Sequence, residues 1–260
     1  MDNSIAFPLL FGLVALALAF DFLNGLRLNG LHDAANSIAT VVSTRLLSPV
    51  AAVLFAACGN FAAYWLVGLH VAETVGKGII DKDVVTPSVV FGALIGAMFW
   101  NVLTWLKGIP SSSSHALIGG LLGAGIAHAG FSAVESSGTT KTLVAIFLSP
   151  MIGFMIAMTL MLVTAWLFKP VQPRKAEGVF KVFHLMSSAA YSISHGANDA
   201  QKTMGIIAVL LYSTGYLGSE FYVPNWVVIS CYVAISLGTL SGGWRIIKTM
   251  GTKLTKLNHH

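Results

Sequence analysis

The sequence predicts an all-α polytopic membrane protein built from inverted repeats, with broken transmembrane helices and a Ser-rich helical hairpin. The first observation is composition: of 260 residues, 55% are hydrophobic and 10% are charged. A soluble domain carries about 25% charged residues, so a surface this apolar indicates a lipid environment. The second observation is that apolar runs long enough to cross a bilayer recur along the chain. The third is a polar phrase that occurs twice inside such runs.

The charge balance also excludes some partners. The formal net charge is +5, and it comes from Lys and Arg residues that lie mostly between apolar runs. This distribution is typical of the cytoplasmic loops of membrane proteins, so it does not indicate a nucleic-acid partner. The expected partner is the lipid bilayer of a cell membrane, crossed several times, with a homo-oligomer as a possible assembly.

The apolar runs define the elements in order. A crossing needs about 20 apolar residues, and four runs meet this length alone: 46–69, 88–106, 142–168 and 223–243. The shorter runs are predicted to pair as half-helices around polar breaks, which lipid tolerates only where the freed backbone lines a cavity or is buried. These pairs are 5–23 with 31–44, and 182–194 with 204–213.

Two basic segments orient the chain. The segment 169–181 and the residues after 244 carry Lys and Arg, which places both on the cytoplasmic side. The segment 214–222 has no Lys or Arg and is therefore expected outside. The predicted organisation is a first repeat with the Ser-rich hairpin at 1–168, a basic cytoplasmic loop at 169–181, and an incomplete second repeat at 182–260.

A polar phrase occurs at residues 30–36 and again at 196–202, at an offset of 166 residues (199 − 33 = 166). Glycine, aspartate and alanine fall in register between the two copies. Carboxylates and amides are costly in a bilayer and occur there mainly to contact something polar. A repeated polar interruption also indicates the binding site of a secondary transporter. We therefore expect Asp33 and Asp199 at one site, the alternative being that Asp199 and Lys202 pair only to hold helices together.

The first copy has further polar neighbours. Asp33 and Asn36 are three residues apart and therefore share one face of a helix. Upstream, Asn24 and Asn29 each precede a glycine. Asn-Gly is a strong turn former, so these two side chains are candidates either for ligand contacts or for turns alone.

Residues 111–115 read Ser-Ser-Ser-Ser-His and follow Pro110. Proline ends a preceding helix and serine is a favoured N-cap, so a new helix is predicted to begin here. Its first turn would present free N–H groups and hydroxyls at the positive end of the helix dipole, which favours an anion. The alternative is an ordinary cap at the membrane surface. The sequence leaves open whether 107–141 is a re-entrant hairpin or a full crossing.

These residues resemble the PiT family of inorganic phosphate transporters, in its bacterial low-affinity branch. The similarity is carried by residues 21–44, 100–115 and 194–205, in the family's order, and covers nearly the whole chain. The resemblance implies inverted repeats, a phosphate site between them and cation-coupled uptake through the inner membrane of a bacterium or archaeon. It implies a transporter with no cofactor, rather than an enzyme.

The site predicted from the residues and from this resemblance has two parts. The substrate-binding candidates are Asp21, Asn24, Asp33, Asn36, Ser111, Ser112, Ser113, Ser114, Asn198 and Asp199. The coupling candidates are Asp33, Asp199, Gln201 and Lys202. Lys202 stands where the sodium-coupled branch commonly has an amide, so a fixed ammonium could replace a bound Na⁺. This favours H⁺ over Na⁺ as the coupling cation, with inorganic phosphate carried free or as a metal–phosphate complex.

The chain departs from the family pattern in two places. Residues 27–31 duplicate part of the Asn-Gly-Leu phrase, so only one of Asn24 and Asn29 can take the usual ligand place. The Ser-rich stretch should have a partner near residues 277–281, beyond His260, so we expect a C-terminally truncated family member.

Two alternatives remain at this stage. Within transport, the family includes sulfate permeases with similar motifs. Outside transport, an intramembrane metal-dependent hydrolase would gather His32, Asp33, His115, His195 and Asp199 around a metal, although no His-Glu-x-x-His motif is present.

Overall fold

The structure, a computed structural model, describes residues 3–25, 38, 40–107, 109, 111–170, 173–218 and 220–254. These ranges are almost entirely helical. Two short 3-10 helices, Lys82–Val84 and Phe131–Ala133, lie between longer elements. The α-helices, labelled in chain order, are α1 Asn3–Gly25, α2 Pro49–Leu66, α3 His70–Gly78, α4 Pro87–Lys107, α5 Ser113–Ala129, α6 Ser136–Phe168, α7 Pro173–Ser213 and α8 Asn225–Leu254.

The apolar runs of the sequence form helices long enough to cross a bilayer. Among the described residues, α1, α2, α4 and α6 qualify by length and composition, and α8 holds a shorter apolar segment, Asn225–Ser241. A helix rises about 1.5 Å per residue, so about 20 residues cover the hydrocarbon core of about 30 Å. The all-helical membrane architecture is therefore confirmed.

Helix α7 corrects one prediction. The sequence predicts two half-helices, 182–194 and 204–213, but the structure shows one helix without interruption from Pro173 to Ser213. The prediction of a break was wrong because residues 195–203 include no proline. Their backbone groups therefore keep their helical hydrogen bonds, and the polar side chains turn towards neighbouring helices. Helix α7 also begins inside the basic segment 169–181.

Helices α4 and α5 form the predicted Ser-rich hairpin, and they run antiparallel. At Gly120 an added Cβ would lie 2.5 Å from the carbonyl oxygen of Ala93, so only glycine permits this approach. Near the connection between the two helices, Trp100 Nε1 donates to Ser111 Oγ at 2.9 Å. This contact holds the residues that precede α5 against α4 and fixes the direction of the first turn of α5.

Helix α7 packs tightly in the centre of the bundle. Gly196 lies against the backbone of Asn60 in α2, and Gly205 lies against the carbonyl oxygen of Ala72 in α3. Polar side chains add directional contacts, because Asn60 Nδ2 donates to Thr239 Oγ1 of α8 at 2.9 Å. The surrounding core is apolar and fully buried; its largest members include Phe20, Leu94, Leu117, Leu121, Met204, Ile207 and Tyr232.

Helix α6 is packed differently from the others. Gly138, near its start, is its buried residue and lies against the backbone of Gly78 in α3. Large apolar side chains such as Phe147, Met151 and Trp166 are exposed along the rest of the helix. A helix that is apolar all round and exposed is suited to lipid contact.

Candidate functional site

The polar motif of α7 occupies one face of the helix. His195, Asn198, Asp199 and Lys202 stand at positions i, i+3, i+4 and i+7, a spacing that aligns side chains along one stripe. This stripe faces the first turn of α5 across a cavity of about 280 Å³. The cavity is lined by Ser112, Ser114, Tyr191, Ser194, His195, Asn198, Asp199 and Lys202.

The first turn of α5 supplies donors to this cavity. Ser112 is the N-cap, and its hydroxyl accepts from the backbone N–H of His115 at 3.4 Å. The N–H groups of Ser113 and Ser114 have no carbonyl partner within the helix, because a first turn leaves them free. The dipole of α5 places partial positive charge at the same point. The predicted helix start at the Ser-rich stretch is therefore confirmed.

Lys202 joins the two sides of the cavity. Its ammonium donates to Ser114 Oγ on α5 and to Asp199 Oδ1 on α7. The side chains are almost buried, with 11% of Lys202 and 8% of Asp199 exposed. Removing one member of a buried ion pair costs about 3–5 kcal/mol, since the other charge is left without a partner. The pair therefore makes the position of Lys202 strongly dependent on Asp199.

His195 is a cavity residue that the sequence assigned only to the hydrolase alternative. Its Nδ1 lies 3.4 Å from Asp199 Oδ2, and 8% of its side chain is exposed. Its Nε2 is buried without a hydrogen-bond partner among the described residues. The spacing of four residues to Asp199 on a helix was the available signal, because such residues meet on one face. Asp199 therefore stands between an ammonium and an imidazole.

Asn198 stands at the exposed rim of the same stripe. Its Nδ2 donates to the carbonyl oxygen of Ser194 at 2.8 Å and reaches Ser194 Oγ at 3.4 Å. The amide is thus held by its own helix. The structure brings Asn198, Asp199, Ser112 and Ser114 together, as the sequence predicted.

Gln201 lies on a different side of α7, away from the cavity lining. Its Oε1 accepts from the backbone N–H groups of Val71 at 3.0 Å and Ala72 at 3.4 Å. Its Nε2 donates to the carbonyl oxygen of Gly68 at 2.7 Å. The fully buried amide therefore caps the start of α3 and ties that helix to α7.

Other predicted residues also lie outside the cavity lining. Asp21 is fully buried and accepts from Thr203 Oγ1 at 2.5 Å, which links α1 to α7. Asn24 is buried next to this contact in α1, and its Oδ1 has no partner among the described residues. Ser111 accepts from Trp100, and Ser113 is 3% exposed on the buried side of α5.

The remaining predictions fall outside the described residues. Asp33 and Asn36, proposed for substrate and coupling contacts, are among them, as are Asn29, His32 and the duplicated segment 27–31. The charged side chains that the structure places on the cavity are therefore Asp199 and Lys202. Within the described part of the chain, no group of three His, Cys, Asp or Glu side chains is placed to hold a metal ion.

A protein-family model matches most of the chain. The model of the phosphate transporter family matches residues 29–174 and 168–260. The chain is 62% identical over 258 residues to a "Probable low-affinity inorganic phosphate transporter" of Rhizobium meliloti, covering 99% of this chain and 76% of that protein. It is 43% identical over 247 residues to a protein of the same description from Bacillus subtilis, covering 94% and 72%. These relatives are described as transporters and not as enzymes.

One solved structure shares the fold. The protein described as "The sodium-dependent phosphate transporter" superposes on this chain with a TM-score of 0.71. The superposition covers 93% of this chain and 78% of the other chain. The two sequences are 22% identical, so this likeness concerns the fold. It agrees with the helical membrane architecture described above.

Proposed function

Because this chain belongs to the phosphate transporter family, we propose that it carries inorganic phosphate across the cell membrane and binds it in the cavity between α5 and α7. The observation that carries this proposal is the Lys202 ammonium, which spans from Ser114 to Asp199 in a nearly buried position. A cation with hydroxyl and N–H donors around it forms an anion site, since charge-assisted hydrogen bonds are the strongest contacts available to phosphate oxygens.

The donors match a tetrahedral oxyanion. Lys202 and Ser114 would donate to one side of the phosphate, and Ser112 and the free N–H groups of the first turn of α5 to another. Asn198 would exchange its bond to Ser194 for a bond to phosphate, at little cost because it lies at the exposed rim. The two predicted repeats, 1–168 and 182–260, would then contribute one wall each.

Proton coupling follows from the charge already in the cavity. The Lys202 ammonium holds Oδ1 of Asp199, so a sodium ion bound by this carboxylate would lie close to a fixed positive charge. Two positive charges about 4 Å apart repel by about 4 kcal/mol at the effective dielectric of a protein. A proton bound to a neighbouring side chain does not have to occupy a position between Asp199 and the Lys202 ammonium. The driving ion that we propose is therefore H⁺, and not Na⁺.

The test is uptake of radiolabelled phosphate by the purified chain in proteoliposomes. We expect an inward pH gradient to drive accumulation, a protonophore to abolish it, and replacement of Na⁺ by K⁺ or choline to leave it unchanged. Uptake that follows an imposed Na⁺ gradient would overturn the proton coupling and leave phosphate as the substrate. Competition by sulfate as strong as that by phosphate would overturn phosphate as the preferred anion.

The form of the substrate is tested in the same vesicles. A divalent cation bound to phosphate could lie away from the Lys202 ammonium, at the exposed rim where the amide of Asn198 offers an oxygen. We propose that the metal–phosphate complex is also a substrate. Uptake in Mg²⁺ should then exceed uptake in EDTA at equal phosphate, and labelled metal should enter with it. Equal uptake in both, without metal entry, would restrict the substrate to free phosphate.

A further inference from the structure

We propose that His195 carries the proton that crosses the membrane with phosphate. This inference rests on the proposed function, and it assigns to one imidazole a role for which the sequence offered Asp33 and Asp199. A histidine changes its charge near neutral pH, whereas an aspartate needs a strongly unusual setting to do so.

The first support is the position of the ring. His195 lines the cavity, and its Nδ1 lies 3.4 Å from the Oδ2 atom of Asp199 that Lys202 does not hold. More than nine-tenths of the side chain is buried, and Nε2 has no partner among the described residues. A neutral imidazole has one N–H donor, and a protonated imidazole has two. Protonation therefore supplies a second donor in a cavity proposed to hold an anion.

The second support is the charge balance of the cavity. The helices that form its described lining are α5, which offers the hydroxyls of Ser112 and Ser114, and α7, which offers Asp199, Lys202, His195 and the phenol of Tyr191. His115, although it follows Ser114 on α5, is exposed and is not part of the lining. With a neutral His195, the charges of the described lining, Asp199 and Lys202, sum to zero. Asp21 of α1 lies outside this lining, although it is close enough to interact electrostatically with both.

Phosphate disturbs this balance, and a proton on His195 restores it. Dihydrogen phosphate brings one negative charge, and it competes with Asp199 for the Lys202 ammonium. A charge left without compensation beside a nearly buried ion pair costs several kcal/mol. One proton taken up by His195 from the outer solution offsets that charge and gives Asp199 a second cationic partner. One dihydrogen phosphate and one proton thus enter together, and both are released on the inner side.

The same balance gives selectivity against sulfate. Sulfate remains a dianion at neutral pH, so it would leave one negative charge in the cavity after His195 is protonated. A fixed positive charge in place of the imidazole would not depend on pH at all. His195→Lys should therefore lose the acceleration by a pH gradient, while sulfate should remain as weak a competitor of phosphate as it is in the unmodified protein, because the lysine carries the same single charge as the protonated imidazole.

The decisive variant is His195→Gln, measured in metal-free proteoliposomes against His128→Gln, an exposed histidine in the last turn of α5. Two rates are compared: uptake driven by an inward pH gradient, and exchange of internal for external phosphate at equal pH. For His195→Gln we expect both rates to fall, because the charge of the bound phosphate is no longer offset. Gradient-driven uptake should fall about tenfold more than exchange, because it also requires the carried proton. His128→Gln should retain both rates.

The outcomes separate the two proposals. Preserved acceleration by the pH gradient in His195→Gln would refute the role of His195, and so would equal losses of uptake and exchange, which indicate a structural residue. If the unmodified protein exchanges phosphate but ignores the pH gradient, the proton coupling itself is wrong. Binding of inorganic phosphate to each purified variant, read as a rise in melting temperature, shows whether the cavity is intact.

Discussion

At the scale of single residues, Lys202 is the side chain on which the proposed phosphate site depends most. Its ammonium is the one positive charge that the described structure fixes in the cavity lining, and it contacts both walls. Truncating one partner of a buried, hydrogen-bonded charge pair costs about 2–5 kcal/mol. We therefore predict that Lys202→Met raises the phosphate concentration for half-maximal uptake by about thirtyfold or more.

The matched control is Lys181→Gln, because Lys181 pairs with Glu177 in the exposed part of α7. Its ion pair is solvated, so its removal should leave uptake unchanged. A Lys202→Asn variant, with an amide in place of the ammonium, should show uptake that responds to Na⁺, since the repelling charge is gone. Unchanged phosphate affinity in Lys202→Met would remove Lys202 from the anion site.

Sequence reasoning selected part of this candidate site for a clear physical reason. Asp199 and Lys202 stand out because charges inside apolar runs are costly, and Ser112 and Ser114 stand out as a helix start. His195 was undervalued, because a single imidazole in a polar phrase does not reveal its distance to a carboxylate. Asn60 was missed entirely, since an isolated amide in an apolar run gives no hint of its partner Thr239, 179 residues away.

At the scale of helices, Gln201 and α3 form one unit. Three hydrogen bonds from the Gln201 amide hold residues 68–72 at the start of α3. Methionine is similar in size to glutamine but cannot form these bonds. We predict that Gln201→Met speeds hydrogen exchange of the Val71 and Ala72 amides by about tenfold or more, because local opening of the start of α3 no longer requires these hydrogen bonds to break.

The comparison for Gln201→Met is the exchange of the α5 amides, which should remain as slow as in the unmodified protein. A variant that exchanges faster throughout the molecule would show a loss of global stability instead. Because Gln201 neighbours Lys202 in the chain, phosphate affinity is a second readout, and we expect a smaller change there than for Lys202→Met.

The contact between α3 and α6 depends on Gly138, which lies against the backbone of Gly78. An added Cβ at Gly138 would overlap the backbone of Gly78, whereas at Gly153, further along α6, nothing lies within 4 Å. We predict that Gly138→Ala lowers the unfolding free energy by about 1–3 kcal/mol, the range of overpacking, while Gly153→Ala has little effect. Thermal unfolding in detergent measures both, and equal melting temperatures would contradict the close contact.

The sequence predicted which segments form helices better than it predicted where each helix ends. Long apolar runs such as 142–168 led directly to helices, because a bilayer requires both the length and the closed backbone hydrogen bonding. The supposed break in α7 failed because hydropathy reports on side chains, while a helix is ended by its backbone. Neither Gly196 nor the charged residues after it removes an N–H from the helical ladder, so the helix continues.

At the scale of the whole molecule, the orientation in the membrane can be measured. The basic segment 169–181 is expected inside and the segment 214–222 outside. In a Cys58→Ser background, we predict that a cysteine at Glu220 reacts with an impermeant maleimide in intact cells and that a cysteine at Glu177 reacts only after permeabilisation. Cys58 is exposed and must be replaced, whereas Cys231 is buried. Reversed labelling would invert the assignment.

The loose attachment of α6 makes the molecule responsive to the thickness of its lipid. A helix of 33 residues is about 50 Å long, against a hydrocarbon core of about 30 Å. Such hydrophobic mismatch is relieved by tilting the helix or by stretching the lipids around it. The buried contact of α6 lies at Gly138, near one end, and its other end meets the exposed first part of α7 through Phe168 and Phe180. A thinner membrane would therefore tilt α6 while the cavity between α5 and α7 keeps its shape. Long-chain and short-chain lipids should therefore change the tilt of α6 well before they change the binding of phosphate.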